Sequence, residues 1–240
     1  MPIRPEYHVK RVGSAMKFNS IIFDLDGTLV DSAPGILTSL GHAMTVTGIT
    51  PARGLTPDII GPPLADTLRA LCPQADAATL ATVTAAFKQH YDTEGYLQTR
   101  PFEGVPELLK MLNALGCAVF IATNKRQFPT HRIISDLDWN AHFVAVYSPD
   151  SIHPHASSKG TLLRHILEKH GLATEATLYV GDRYDDYVAA AHSGMAFAFA
   201  TWGFGTADTL VPQECERLET AESVSHLAVS GFAKTGYAKT

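Results

Sequence analysis

A chain of 240 residues with 45% hydrophobic and 18% charged side chains has the make-up of an ordinary folded protein, which excludes disorder and fibrous repeats. It is long for one plain domain and short for two, so one main domain carrying a subdomain is expected. A formal net charge of −5 argues against nucleic-acid or membrane partners while leaving room for a local basic pocket.

Residues 1–17 carry Arg4, Lys10, Arg11 and Lys17 with no apolar run behind them. A secretory leader would lack its hydrophobic region, so this stretch reads as a flexible extension and the cytoplasm is the expected compartment. Apolar runs at Ile21 to Phe23, Ala118 to Ala122, Phe143 to Tyr147, Thr177 to Val180 and Ala196 to Ala200 read as strands. They are continuous rather than alternating, the mark of strands buried on both faces, and helical stretches lie between them. The expected fold is therefore α/β, a doubly wound parallel sheet. Residues 32–98 hold no convincing strand but several amphipathic pieces, at Gly35 to Thr45, Leu64 to Leu71 and Leu80 to Tyr91. They read as a small helical cap inserted after the first strand, with 18–31 and 99–230 as the core. Val105 to Leu115 forms a helix stopped by Gly116, and a second helix runs from the cap residues Ser157 and Ser158 to Gly171, with Lys159 in its first turn. Ala221 to Leu227 is a last helix and 231–240 a loose tail. Cys72, Cys117 and Cys215 are widely spaced and form no CxxC pair, so they read as reduced thiols.

The chemistry collects where the strands end. Phe23-Asp24-Leu25-Asp26-Gly27-Thr28 delivers two carboxylates and then a glycine to the carboxyl end of a strand, the side on which open parallel sheets bind ligands. Two carboxylates about 4 Å apart repel by about 4 kcal/mol at an effective dielectric near 20, a conflict that a cation resolves. Oxygen ligands with no nearby His or Cys favour Mg²⁺. A third carboxylate, Asp182, follows the Thr177 strand in Gly181-Asp182-Arg183-Tyr184-Asp185-Asp186, so Asp24, Asp26 and Asp182 form the expected metal set. Asp186 lies a helical turn further on, placed to orient metal-bound water or the lysine, while Asp185 points aside. Thr123-Asn124-Lys125 ends the second long strand with a hydroxyl and backbone N–H groups suited to phosphate oxygens. Lys159 adds a positive charge at a helix start, where anions are also favoured.

Asp24-Leu25-Asp26-Gly27-Thr28, Thr123, Lys159 and Gly181-Asp182 through Asp186, in this order, resemble the four motifs of the haloacid-dehalogenase-like (HAD) hydrolases. Val30-Asp31-Ser32, Gly61-Pro62-Pro63-Leu64 and Gly181-Asp182-Arg183 look most like its phosphoglycolate-phosphatase branch. The lysine departs from the pattern, since Ser158-Lys159-Gly160 opens a helix where many relatives have Lys-Pro-x-Pro. The resemblance implies a Mg²⁺-dependent phosphatase for a small phosphate monoester such as 2-phosphoglycolate. Asp24 would then be the nucleophile that forms an aspartyl phosphate, and Asp26 the acid and base. Leu25, Gly27, Thr123, Asn124 and Lys159 would bind the substrate phosphate. It leaves open a phosphomutase of the β-phosphoglucomutase kind, a pyrophosphatase, sugar phosphatase or nucleotidase, and a monomer or a homodimer. A non-catalytic phospholigand-binding module is disfavoured by the intact Asp24 and Asp26 pair. His153-Pro154-His155 reads as a solvated turn without a third metal ligand, and Lys125 and Arg183 as solvent-facing. In the cap, Arg53, Arg69 and Lys88 are candidates for a substrate carboxylate or second phosphate, but such residues mostly coat a helix and none is assigned a site.

Overall fold

The computed structural model describes residues 16–205 and 210–232. The expectations of a flexible extension and tail therefore fall mostly outside the described residues. Within them the strands are β1 (Ser20–Phe23), β2 (Val30–Asp31), β3 (Arg100–Pro101), β4 (Ala118–Ala122), β5 (Ala145–Tyr147), β6 (Thr177–Gly181), β7 (Ala196–Ala200) and β8 (Glu216–Leu218). The helices are α1 (Ala33–Thr47), α2 (Leu64–Leu71), α3 (Ala77–Thr93), α4 (Val105–Ala114), α5 (Gln127–Asp136), α6 (Lys159–His170), α7 (Tyr184–His192) and α8 (Glu222–Ser230).

Six strands form one sheet in the order β5-β4-β1-β6-β7-β8, and every neighbouring pair is parallel. The fold is thus a doubly wound α/β sheet, with β1 at its middle. Successive residues of the central strands serve opposite faces. Ile21, Phe23, Val119, Ile121, Leu178 and Val180 enter one core with α4 and α8. Ile22, Phe120, Ala122 and Tyr179 enter a second core with α6 and α7. Burial on both sides is why these strands are apolar throughout. β8 was not anticipated: Glu216-Arg217-Leu218 buries only Leu218, so this edge strand carries no apolar run to read.

The chain winds from β1 outward to β4 and β5, then returns across β1 to β6, β7 and β8. That reversal opens a crevice at the carboxyl ends of β1, β4 and β6. Residues 33–98 leave and re-enter through β2 and β3, which pair antiparallel with Val30 opposite Pro101 and Asp31 opposite Arg100. The excursion holds α1, α2 and α3, each spanning or slightly exceeding its expected piece. Asp76 caps α3 by accepting the Thr79 N–H at 2.8 Å, which starts that helix earlier than its apolar spacing indicates.

α1 packs on α3 and on the turn that follows it. Gly35 permits this approach, because a Cβ built there would sit 1.9 Å from the carbonyl oxygen of Gly95. Only backbone stands in the way, so nothing flexible can yield. Gly35→Ala is expected to destabilise the protein by about 1–3 kcal/mol, measured as a lower urea midpoint at unchanged slope.

Candidate active site

Asp24 follows β1 directly, and its N–H donates to the Val180 carbonyl of β6 at 2.9 Å. The chain then turns tightly: the buried Leu25 offers its carbonyl to the N–H groups of Thr28, Leu29 and Val30 at 3.3, 3.0 and 3.0 Å. Gly27 is required twice over. Its φ of +88° suits few other residues, and an added Cβ would meet Asp182 Oδ2 at 2.3 Å.

Asp182, just past β6, is fully buried. Its Oδ1 accepts from the Thr28 hydroxyl at 3.1 Å, and its Oδ2 from the N–H groups of Phe204 and Gly205 at 2.8 and 3.2 Å. Asp186 accepts from the Tyr179 hydroxyl at 2.8 Å and the Arg183 N–H at 3.2 Å. One oxygen from each of Asp24, Asp182 and Asp186 lies within 4.8 Å of the others. Lys159 Nζ completes the cluster, 2.7 Å from Asp24 Oδ1 and 3.1 Å from Asp186 Oδ1, while donating to the Ala122 carbonyl at 3.3 Å.

Three buried carboxylates around one ammonium leave negative charge uncompensated. Burial pushes the Asp24 carboxyl up to about 7, against the pull of Lys159. Burial, reinforced by Asp186 and Asp24, pushes Asp182 up to about 8. Burial also opposes the Lys159 charge, but Asp186 and Asp24 outweigh it and hold that pKa above the ordinary lysine value. An all-oxygen donor set with excess negative charge fits a hard divalent cation, which Asp24, Asp182 and Asp186 would hold.

The side chain of Asp26 takes a different place from the one expected. Both of its oxygens accept from Lys125 Nζ, at 3.0 and 2.9 Å, and Oδ1 also accepts from the Ser32 hydroxyl at 2.5 Å. The carboxylates that meet are therefore Asp24, Asp182 and Asp186, not Asp24, Asp26 and Asp182. β1 stops at Phe23, so the strand rule that puts alternate side chains on one face no longer holds for Asp24 and Asp26.

Lys125 is likewise not solvent-facing. Its side chain is 7% exposed, and its ammonium stands 4.7 Å from the centroid of the Tyr91 ring. Its pairing partner, 99 positions away in the chain, could not be read from the local Thr-Asn-Lys sequence. Arg183 is turned inward as well, donating from Nη1 to the carbonyls of Asp58 and Ile60 at 3.3 and 2.9 Å. Thr123 is buried and accepts the Lys125 N–H on its hydroxyl at 3.1 Å. Asn124 spends its amide on the Gly61 carbonyl at 3.0 Å. Asp185 is exposed, as its position implied.

Asp24, Asp26, Thr123, Asn124 and Lys125 floor a cavity of about 440 Å³ whose opposite wall comes from residues 36–91. Three links draw this wall down: Arg183 and Asn124 on the 58–61 loop, and the two-pronged Arg126–Asp92 pair at 2.6 and 3.1 Å. Gly61 fits beneath the arginine because it has no side chain; a Cβ there would fall 2.1 Å from Arg183 Cδ.

The sequence model of the family described as haloacid dehalogenase-like hydrolase matches residues 21–200. The chain belongs to that family. It is 32% identical over 198 residues to a 5'-nucleotidase of Pseudomonas aeruginosa, covering 82% of this chain and 89% of that protein. It is 32% identical over 209 residues to a phosphoglycolate phosphatase of Xylella fastidiosa, covering 81% and 89%. The solved structure of Mycobacterium tuberculosis protein tyrosine kinase A superposes with a TM-score of 0.74 at 30% identity, covering 88% and 98% of the two chains.

The raised carboxyl pKa values set a sign for stability. Well below the ordinary value of 3.8, Asp24 and Asp182 are protonated in both states; as pH rises from there toward 7 and 8, the unfolded chain gives up protons that the native state retains, so stability falls. A bound cation favours the ionised carboxylates and reverses this loss. Without divalent cations the melting temperature is expected to drop between about pH 4 and pH 8 from this pair, and MgCl₂ is expected to raise it more at pH 8 than at pH 5. A cation effect of equal size at both pH values would contradict the assignment.

Proposed function

We propose that the chain is a Mg²⁺-dependent phosphatase that hydrolyses a small phosphate monoester, of the 2-phosphoglycolate kind, through an aspartyl phosphate on Asp24. The observation that carries this reading is Asp24 itself: a buried carboxylate on the cavity floor, 2.7 Å from Lys159 Nζ and within reach of an ion shared with Asp182 and Asp186. The names of the P. aeruginosa and X. fastidiosa relatives support phosphate-ester hydrolysis. Residues 32–98 act as the cap over a core made of 18–31 and 99–230.

In the first step an Asp24 oxygen attacks phosphorus, the bond to the leaving oxygen breaks, and Asp26 delivers the proton that this oxygen takes up. In the second, Asp26 takes a proton from water, whose oxygen attacks the phosphorus; the bond to Asp24 breaks and phosphate departs. Lys125 and Ser32 aim the Asp26 carboxylate, and Lys159 balances charge on the transferring group. Thr123 and the backbone N–H groups of Leu25 and Asp26 serve the phosphoryl oxygens, whereas the N–H groups of Asp24 and of Gly27, the latter expected to help, are spent on the Val180 and Val30 carbonyls at 2.9 Å. When bound, Mg²⁺ supplies the further charge neutralisation that phosphoryl transfer demands. Mg²⁺ is the fitting ion because the donors are oxygens alone and the substrate can complete its shell.

Phosphate release from a panel of phosphorylated metabolites, measured with MgCl₂, tests the proposal. Wild type is expected to release inorganic phosphate, and Asp24→Asn to lose at least about a thousandfold in kcat. Turnover that survives in Asp24→Asn rules out the covalent route. Transfer of the phosphoryl group to a second sugar phosphate, with no free phosphate, would identify a phosphomutase instead.

A further inference from the structure

Among the described residues, one lysine lining the cavity is paired with no carboxylate. Of the three cap cations noted in the sequence, Arg53 is paired with Asp58 and Arg69 with Asp66, on side chains 52% and 66% exposed. Lys88 alone of the three is half-buried and lines the cavity. The other two cavity cations are neutralised, Lys125 by Asp26 at 2.9 Å and Arg126 by Asp92 at 2.6 Å. Among the described residues no carboxylate pairs with Lys88. The rest of the lining includes the apolar Phe87, Leu64, Ile59 and Ile36 and one further carboxylate, Asp150, which accepts the Gln127 N–H at 2.8 Å.

The helix fixes where that charge stands. Thr84, Lys88 and Tyr91 occupy positions i, i+4 and i+7 of α3, so they share one face, and all three line the cavity. Tyr91 lies against Lys125, and Lys125 grips Asp26. Lys88 precedes Tyr91 by three residues, which is about 4.5 Å along the helix axis. An ammonium with no carboxylate partner among the described residues therefore stands about one helical turn from Tyr91, on the same cavity-lining face, and Tyr91 lies against the lysine that holds Asp26.

We propose that Lys88 reads a second anionic group, a carboxylate or a further phosphate, carried on the leaving group a few bonds from the bridging oxygen. The substrate class is thus a phosphate ester or anhydride with a short, negatively charged leaving group. This rests on the phosphatase reading of the site, to which it adds the leaving-group chemistry and the residue that selects it. Lys88 makes no contact with the transferring phosphoryl group in this assignment, so its effect falls on binding more than on the chemical step.

The test compares kcat/KM, with MgCl₂, for 2-phosphoglycolate, pyrophosphate and ethyl phosphate. These carry a carboxylate, a second phosphate and no second charge. Wild type is expected to favour at least one charged substrate over ethyl phosphate by about tenfold or more. Lys88→Met is expected to bring that ratio close to one, through KM rather than kcat, and Lys88→Arg to restore most of it. A wild-type enzyme indifferent to the second charge, or a Lys88→Met variant that lowers all three substrates equally, would overturn the proposal. Binding separates it from the phosphatase reading. Calorimetry on full-length Asp24→Asn should show 2-phosphoglycolate or pyrophosphate binding more tightly than ethyl phosphate, with the difference lost in Asp24→Asn/Lys88→Met. Equal binding of all three ligands to Asp24→Asn refutes the Lys88 assignment; wild type that releases phosphate from no member of the metabolite panel refutes the phosphatase instead.

Discussion

Negative charge concentrated out of water is the constraint around which this molecule is organised. Asp24, Asp182 and Asp186 come from the ends of β1 and β6 and the first turn of α7, and among the described residues Lys159 is the one cation paired with them. Such a grouping costs folding free energy, and the protein meets that cost with the surrounding polar groups. Backbone N–H groups from 204 and 205, the Thr28 hydroxyl and the Tyr179 hydroxyl each satisfy one carboxylate oxygen. The glycines at 27, 181, 203 and 205 are the same constraint in another form, because a Cβ at any of them would overlap Asp182 or Asp186. A centre held this tightly is preorganised, and that is the property a phosphoryl-transfer site needs.

Much of this was legible in the sequence, and what was legible was local. Strands buried on both faces must be apolar along their length, so the central ones announced themselves. Motif residues at strand ends could be placed on one rim because parallel sheets put all such ends on the same side. What escaped the sequence depends on partners far apart in the chain. Asp26 and Lys125 are 99 positions apart, and Arg183 reaches carbonyls more than 120 positions away. Neither lysine nor arginine carries a local signal that separates a buried partner from a solvated one. β8 escaped for another reason: an edge strand of three residues with one buried side chain has no periodicity to detect.

The links across the cavity differ in kind from the centre below it. The Arg126–Asp92 side chains are 28% and 22% exposed, and pairs open to water contribute roughly 0–1 kcal/mol. The Arg183 and Asn124 bonds to the 58–61 loop add about 1–3 kcal/mol apiece at most. Arg183 also joins the two levels, since its N–H holds Asp186 while its guanidinium holds the loop. Movement of the loop is therefore felt beside the charged cluster.

The β2–β3 ribbon has a consequence of a different order. Asp31 and Arg100 are register partners, so the chain departs and returns through points one strand spacing apart, about 4.8 Å. To the parallel sheet, everything between those points is a detour of zero net displacement. Such a detour can be lengthened, shortened or exchanged for another in descent without shifting any residue that handles phosphorus, so new selectivities can arise while the reactive machinery stays inherited intact.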